Sequence, residues 1–142
     1  MRFWDTSALI PLLVAEPTTH RVQAWLRADP DVVVWTLTRV ELLDALARRR
    51  REKPRTAERL LAARRELLEA WERWTEIIAT EIVRRQAERI VETHPLRTAD
   101  ALQIGAAIVA AEEDPSRLQF VTLDRHQAVA AEREGFLVLG PE

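Results

Sequence analysis

At 142 residues the chain has the size of one domain, and splitting it would leave pieces with thin cores. Its 47% hydrophobic content excludes disorder, and a net charge of −2 excludes a protein that coats nucleic acid through bulk positive charge. With no cysteine there is neither a disulfide framework nor a thiolate metal site, so any metal must rest on oxygen ligands or on the three histidines. The longest apolar run, Ile104 to Ala111, is too short to cross a bilayer, and the N-terminus lacks a signal-peptide pattern; the cytoplasm is the expected location.

In chain order, Arg2 to Trp4 begins a short strand and Ser7 to Val14 reads as a helix directly behind it. Pro17 and Thr18 introduce an amphipathic helix with Val22, Trp25 and Leu26 on its apolar face. Val32 to Trp35 is a β-branched run set off by Asp29-Pro30-Asp31, the mark of a buried strand. The next helix, capped by Thr36 or Thr38, runs to about Arg50, with Leu37, Val40, Leu43 and Leu46 as its expected inner face. Pro54 breaks the charged stretch that follows, and Thr56 to Trp71 carries leucines at helical spacing. Glu76 to Ala79 reads as a short strand. Thr80 caps a helix that Pro95 stops near His94, and Thr98 caps a nearly continuous apolar helix that must be buried. A strand over Gln119 to Leu123, a helix over Gln127 to Glu134 closed by Gly135, and a strand over Phe136 to Leu139 complete the chain. Strands separated by helices, with no hairpin signal, predict crossovers and a mainly parallel sheet. The expected fold is a single α/β domain over residues 1–142, a three-layer α/β/α sandwich.

Most acidic residues sit beside arginines on polar helix faces. Four do not. Asp5 ends the first strand and interrupts an apolar run; Glu41 lies early in the helix after the second strand; Asp100 lies in the first turn of the buried helix; Asp124 ends a strand. In an open parallel sheet the carboxyl ends of the strands share one edge, where ligands bind, so the topology brings all four to one rim. Bland roles exist for three of them, and Asp5 is harder to dismiss: Asp100 complements a helix dipole, Asp124 caps the last helix, and Glu41 is solvated at the border of its apolar face. Four carboxylates at one rim repel one another unless a cation sits among them. Mg²⁺ or Mn²⁺, which take oxygen ligands and activate water beside a phosphoryl group, suit that place and imply phosphodiester hydrolysis. His20, His94 and His126 are scattered, show no Ser/His arrangement, and are expected on polar surface.

At these residues the sequence resembles the PIN-domain ribonucleases, of the kind found as VapC toxins in prokaryotic toxin–antitoxin pairs. The matching pieces are Asp5-Thr6-Ser7-Ala8-Leu9, Leu37-Thr38-Arg39-Val40-Glu41-Leu42, Thr98-Ala99-Asp100-Ala101-Leu102-Gln103-Ile104-Gly105-Ala106-Ala107 and Val121-Thr122-Leu123-Asp124, followed by Ala130 to Phe136. Each is short, but together they occur in family order over nearly the whole chain. The resemblance implies a Mg²⁺- or Mn²⁺-dependent endoribonuclease acting on RNA, a homodimer, and inhibition by a cognate antitoxin. It implies that Asp5, Glu41, Asp100 and Asp124 form the catalytic acidic quartet, with Asp5 and Asp100 as metal ligands and Thr6, Ser7 and Thr122 lining the substrate site. Gly105 stands where the family often has a larger residue. The apolar surface of Trp71 and Trp74 offers itself either to a homodimer or to the interior.

Other chemistries fit less well. A phosphatase with an aspartate nucleophile at Asp5 wants a second acid where Ser7 stands. A phospho-receiver needs a lysine beside the acids, and the one lysine is Lys53. A nucleotide-binding fold needs a glycine-rich loop, and three scattered glycines supply none. The remaining alternative is a PIN-like module that binds RNA or protein without cutting. A basic segment from Arg48 to Arg59 either meets RNA running toward the acids, solvates a helix end, or pairs with acids on an antitoxin.

Overall fold

The computed structural model describes residues 1–142. Five strands form one sheet: β1 (Arg2–Trp4), β2 (Val32–Trp35), β3 (Thr75–Ile77), β4 (Gln119–Val121) and β5 (Leu137–Leu139), in the order β3-β2-β1-β4-β5. Every neighbouring pair is parallel, so every connection is a crossover. The helices are α1 (Thr6–Leu13), α2 (Thr19–Ala28), α3 (Thr36–Glu52), α4 (Ala57–Trp71), α5 (Thr80–Thr93), α6 (Thr98–Ala110) and α7 (Arg125–Arg133).

Alternation along the strands divides the core in two. Trp4, Val32, Val34 and Val121 face α1 to α4, while Phe3, Val33, Trp35 and Phe120 face α5 to α7. Because both faces are covered, β2 is apolar at every position, Val32-Val33-Val34-Trp35, and wholly buried. The three-layer α/β/α sandwich expected from the sequence is the fold observed. From β1 the chain winds outward through β2 to β3, then returns over the opposite face to β4, beside β1. The strand order therefore reverses between β1 and β4, and a crevice at the carboxyl ends of those strands is where such sheets bind ligands.

Several local expectations shift. The threonines expected as caps, Thr36, Thr80 and Thr98, are the first residues inside their helices, and none of the three preceding residues makes a side-chain cap. Strand β3 runs over Thr75–Ile77 rather than Glu76 to Ala79. Strand β4 stops at Val121 instead of Leu123, because Ser7 Oγ takes the Leu123 N–H (2.9 Å) and Thr122 Oγ1 takes that of Asp124 (3.0 Å). Helix α3 is rotated from its expected orientation: Thr38, Leu42, Ala45 and Leu46 are buried, whereas Leu37 and Val40 are 45% and 61% exposed. Apolar periodicity alone points the helix by its leucines and valines, but Thr38 is held inside by the amide of Gln103 (2.8 Å). Trp71 belongs to the interior, buried against the α1–α4 side with Trp74 half-buried beside it.

Two glycines have geometric reasons. Gly135 has φ +102°, and the Phe136 and Gly135 amides return to the carbonyls of Ala131 and Glu132 (both 3.0 Å), closing α7 as expected. At Gly105, α6 meets α5 so closely that a Cβ would lie 2.9 Å from the Val83 carbonyl oxygen and 3.2 Å from the Ala87 nitrogen. A larger residue there requires the two helices to separate.

Candidate active site

Asp5 follows β1 in extended backbone and caps α1, accepting from the Ser7 amide (3.3 Å) and hydroxyl (2.5 Å). The Thr122 hydroxyl, just past β4, donates to the same carboxylate at 2.8 Å. Thus the two strands at the reversal point contribute to one buried anion. Asp124 caps α7 by accepting from the Gln127 amide nitrogen (2.8 Å), and Asp100 lies in the first turn of α6. Glu41, on the second turn of α3, accepts from Gln103 Nε2 at 2.9 Å.

Two fully buried glutamines connect these acids. Gln103 Nε2 lies 3.0 Å from Thr6 Oγ1 and 2.8 Å from Thr38 Oγ1 besides its bond to Glu41, joining α6 to α1 and α3. Gln127, with its amide nitrogen turned toward Asp5, donates to that carboxylate at 2.7 and 3.1 Å. Each glutamine stands three residues after an aspartate near its helix start (Asp100/Gln103 and Asp124/Gln127), so both pairs share a helix face. The sequence reading missed both. The available signal was a lone polar residue, Gln103, inside the apolar stretch from Ala101 to Ala111.

The electrostatics identify a strained group of anions. Burial pushes the Asp5 carboxyl up to about 6; hydrogen bonds from Ser7 and Thr122 pull against it, and the charge of Asp100 adds to the rise. Burial likewise lifts Glu41 to about 7, opposed by the Gln103 hydrogen bond and reinforced by Asp5 and Asp100. Asp100 is raised by burial and by Asp124, partly offset by Arg97 and His126. All four acids are therefore linked through their mutual fields, as the topology argument expected.

No three acids or histidines converge closely enough to enclose an ion by themselves. A divalent ion of the magnesium type does not need that, since it usually takes one or two carboxylates and completes its shell with water and substrate phosphate. The donors present are all oxygens, and their charges are offset only in part, at Asp100 by Arg97 and His126, so the residues fit such an ion.

The remaining expectations divide. Thr6, Ser7 and Thr122 all make hydrogen bonds within this cluster. His94 is not a surface residue: it is buried, with Nε2 2.7 Å from Glu134 Oε1, because Pro95 ends α5 where α7 closes over it. The basic segment lies apart from the acids. Arg49 is eight residues beyond Glu41, about 12 Å along α3, and it pairs with Glu16 at 2.9 Å, past the far end of α1. Arg48 pairs with Asp44 at 3.0 Å.

This arrangement has relatives. The PIN domain family profile matches residues 2–133. The chain belongs to the PIN-domain family. It is 34% identical to "Ribonuclease VapC47" of Mycobacterium tuberculosis over 145 residues, an alignment spanning 99% of this chain and 97% of that protein. Two solved PIN-like folds are also similar. One, a toxin–antitoxin complex from Klebsiella pneumoniae, superposes with a TM-score of 0.71 at 16% identity, covering 100% of this chain and 98% of the other. The other, FitAcB from Neisseria gonorrhoeae, has a TM-score of 0.63 at 22% identity, covering 100% and 97%. At those identities the structures attest the PIN fold alone.

Proposed function

We propose that this PIN-domain protein is a Mg²⁺- or Mn²⁺-dependent endoribonuclease, the toxin of a toxin–antitoxin pair, whose partner is a cognate antitoxin protein. The observation that carries this reading is the cluster of raised, mutually repelling carboxylates at the strand-order reversal, in a chain 34% identical to a VapC ribonuclease. Asp5 and Asp100 would hold the ion, with Glu41 and Asp124 completing the catalytic set. When bound, such an ion activates water and stabilises negative charge on a phosphoryl group.

The protein's own groups do the rest. Ser7 and Thr122 fix the Asp5 carboxylate from two sides, and Gln127 holds it against the α7 end of the site. Gln103 restrains Glu41 so that its carboxylate stays within the field of Asp5 and Asp100. Glu41, with its pKa lifted to about 7, is suited to exchange a proton with the attacking water near neutral pH. Thr6 and the hydroxyls around Asp5 line the approach.

We place the protein in the cytoplasm; no helix is long and apolar enough to cross a membrane. We also propose a homodimer, though not through the tryptophans, which turn inward. Among the exposed apolar residues are Leu37 and Val40, which follow β2, and Ile78 and Ile82, which follow its neighbour β3. Light scattering that gave the mass of one 16.3 kDa chain at micromolar concentration would exclude the dimer.

The test of the activity is direct. Purified protein should cleave single-stranded RNA with Mg²⁺ or Mn²⁺ and stop in excess EDTA. Undiminished cleavage in EDTA would overturn the metal-dependent mechanism, and RNA binding without any cleavage would favour a binding module.

A further inference from the structure

A cleft of about 620 Å³ opens beside the acids, lined by Asp100 and Asp124 together with Arg97 and His126. Arg97 immediately precedes α6 and His126 lies in the first turn of α7, so both stand on backbone that also positions an acid of the site. Both are exposed, and neither forms an ion pair. They are close enough to act on Asp100 through their charge. Pro95 and Leu96 give the same cleft an apolar wall.

A polyanion approaching four carboxylates meets repulsion that a bound cation relieves only locally. Positive charge is needed where the strand leaves the reacting phosphate. Arg48 and Arg49 near the end of α3 do not supply it there: Arg49 is committed to Glu16, Arg48 to Asp44, and both lie about two turns along α3 from Glu41. Arg97 and His126 are the basic residues lining the cleft that holds Asp100 and Asp124. A guanidinium offers a planar fork of donors that matches phosphate oxygens, and an imidazole offers an N–H in either protonation state.

We propose that Arg97 and His126 form a phosphate-binding subsite that seats the phosphodiester adjacent to the one being cut, with its nucleotide against Pro95 and Leu96. This rests on the ribonuclease reading, but it can fail while that reading stands. If the pair merely balanced the charge of Asp100, its removal would alter metal affinity and leave RNA affinity alone.

The experiment compares wild type, Arg97→Gln, His126→Gln and the double variant. Cleavage of a fluorogenic single-stranded RNA with Mn²⁺ is read as KM and kcat. Binding of the same RNA is read by anisotropy in an Asp5→Asn background across a salt series. The double variant should raise KM at least tenfold with kcat within about threefold of wild type. Its plot of log affinity against log salt should lose about 0.7 of slope for each phosphate contact removed. An unchanged KM and salt slope, or a loss confined to kcat, would overturn the proposal. If wild type cuts no RNA, the ribonuclease reading fails by itself, and the salt series still decides whether these two residues hold phosphate.

Discussion

Two groups of half-buried or buried acids meet opposite fates in this protein. At the end of α7, burial works to raise the Glu134 carboxyl, but hydrogen bonds from Arg89 and His94 outweigh it, leaving the pKa below that of an ordinary glutamate. Arg89 grips both oxygens at 3.1 and 2.8 Å, and His94 adds a third contact. At the strand-order reversal, Asp5 and Glu41 receive hydrogen bonds from neutral hydroxyls and amides only, Asp100 has Arg97 and His126 near it without an ion pair, and the pKa values of all three rise. The first arrangement is complete as it stands and ties α5 to α7. The second lacks a matching positive charge, and on the proposed reading a cation would supply it. A fold that can pair one acid so fully has left the other group unpaired where ligands approach.

The largest expected effect comes from removing an unpaired acid. Asp5→Asn or Asp100→Asn should lower RNA cleavage by roughly 10²–10³-fold, the scale on which one charge-stabilising group matters in an active site. The same Asp5→Asn change should stabilise the metal-free protein at pH 7. A buried carboxyl whose pKa sits near 6 instead of 3.8 corresponds to about 3 kcal/mol of unfavourable ionisation. Denaturant unfolding in EDTA measures this, and a destabilised Asp5→Asn would contradict the comparison.

The converse substitution is Glu134→Gln. It leaves Arg89 without its partner and buried His94 without a carboxylate, and should cost roughly 1–3 kcal/mol of stability with little effect on cleavage per folded molecule. Equal losses of activity and stability would mean that the two groups are not separable.

Acid dependence separates them by sign. The raised pKa values of Asp5 and Glu41 favour the folded state at low pH, so their contribution should decline as pH rises from about 4 to about 7 in metal-free protein. The lowered pKa of Glu134 works the other way: its contribution is present above the ordinary glutamate range and is lost on acidification. Unfolding free energies at pH 4.5 and 7.5 for wild type, Asp5→Asn and Glu134→Gln resolve the two terms. The Asp5→Asn curve should lose part of the decline toward pH 7.

The smallest expected effect is at the end of α3. Neutralising Arg49, Arg51 and Arg55 together should weaken affinity for a long RNA by a few-fold and leave kcat on a short RNA unchanged, because Arg49 and Arg51 lie more than two turns along α3 from Glu41 and Arg55 follows the end of that helix. Steady-state cleavage of RNAs of two lengths measures this. A large fall in kcat on the short RNA would place the segment in the active site after all.

Much of this was legible in the residues. The apolar Val32-Val33-Val34-Trp35 run and the lack of hairpin turns specified a covered parallel sheet, and the carboxyl-edge rule then gathered four acids distant in sequence. What pattern could not resolve was rotation and partnership. Hydrophobic spacing placed Leu37 and Val40 inward, because nothing in α3 alone reveals that Gln103, sixty-five residues from Thr38, claims the opposite face. His94 looked like a surface histidine for the same reason: its partner, Glu134, lies forty residues away. Gly105 stands out in the sequence only as a small residue at a position often larger, and its meaning lies in the approach of α5.

The most direct test of the central claim, that unpaired acids await a cation, is the melting temperature at pH 7.5 with EDTA or with Mn²⁺. A ligand at one hundred times its dissociation constant stabilises a fold by about 2.7 kcal/mol. Wild type should therefore melt several degrees higher in Mn²⁺, and Asp5→Asn, already more stable in EDTA, should show little further rise. An equal rise in both proteins, or none in wild type, would contradict the account.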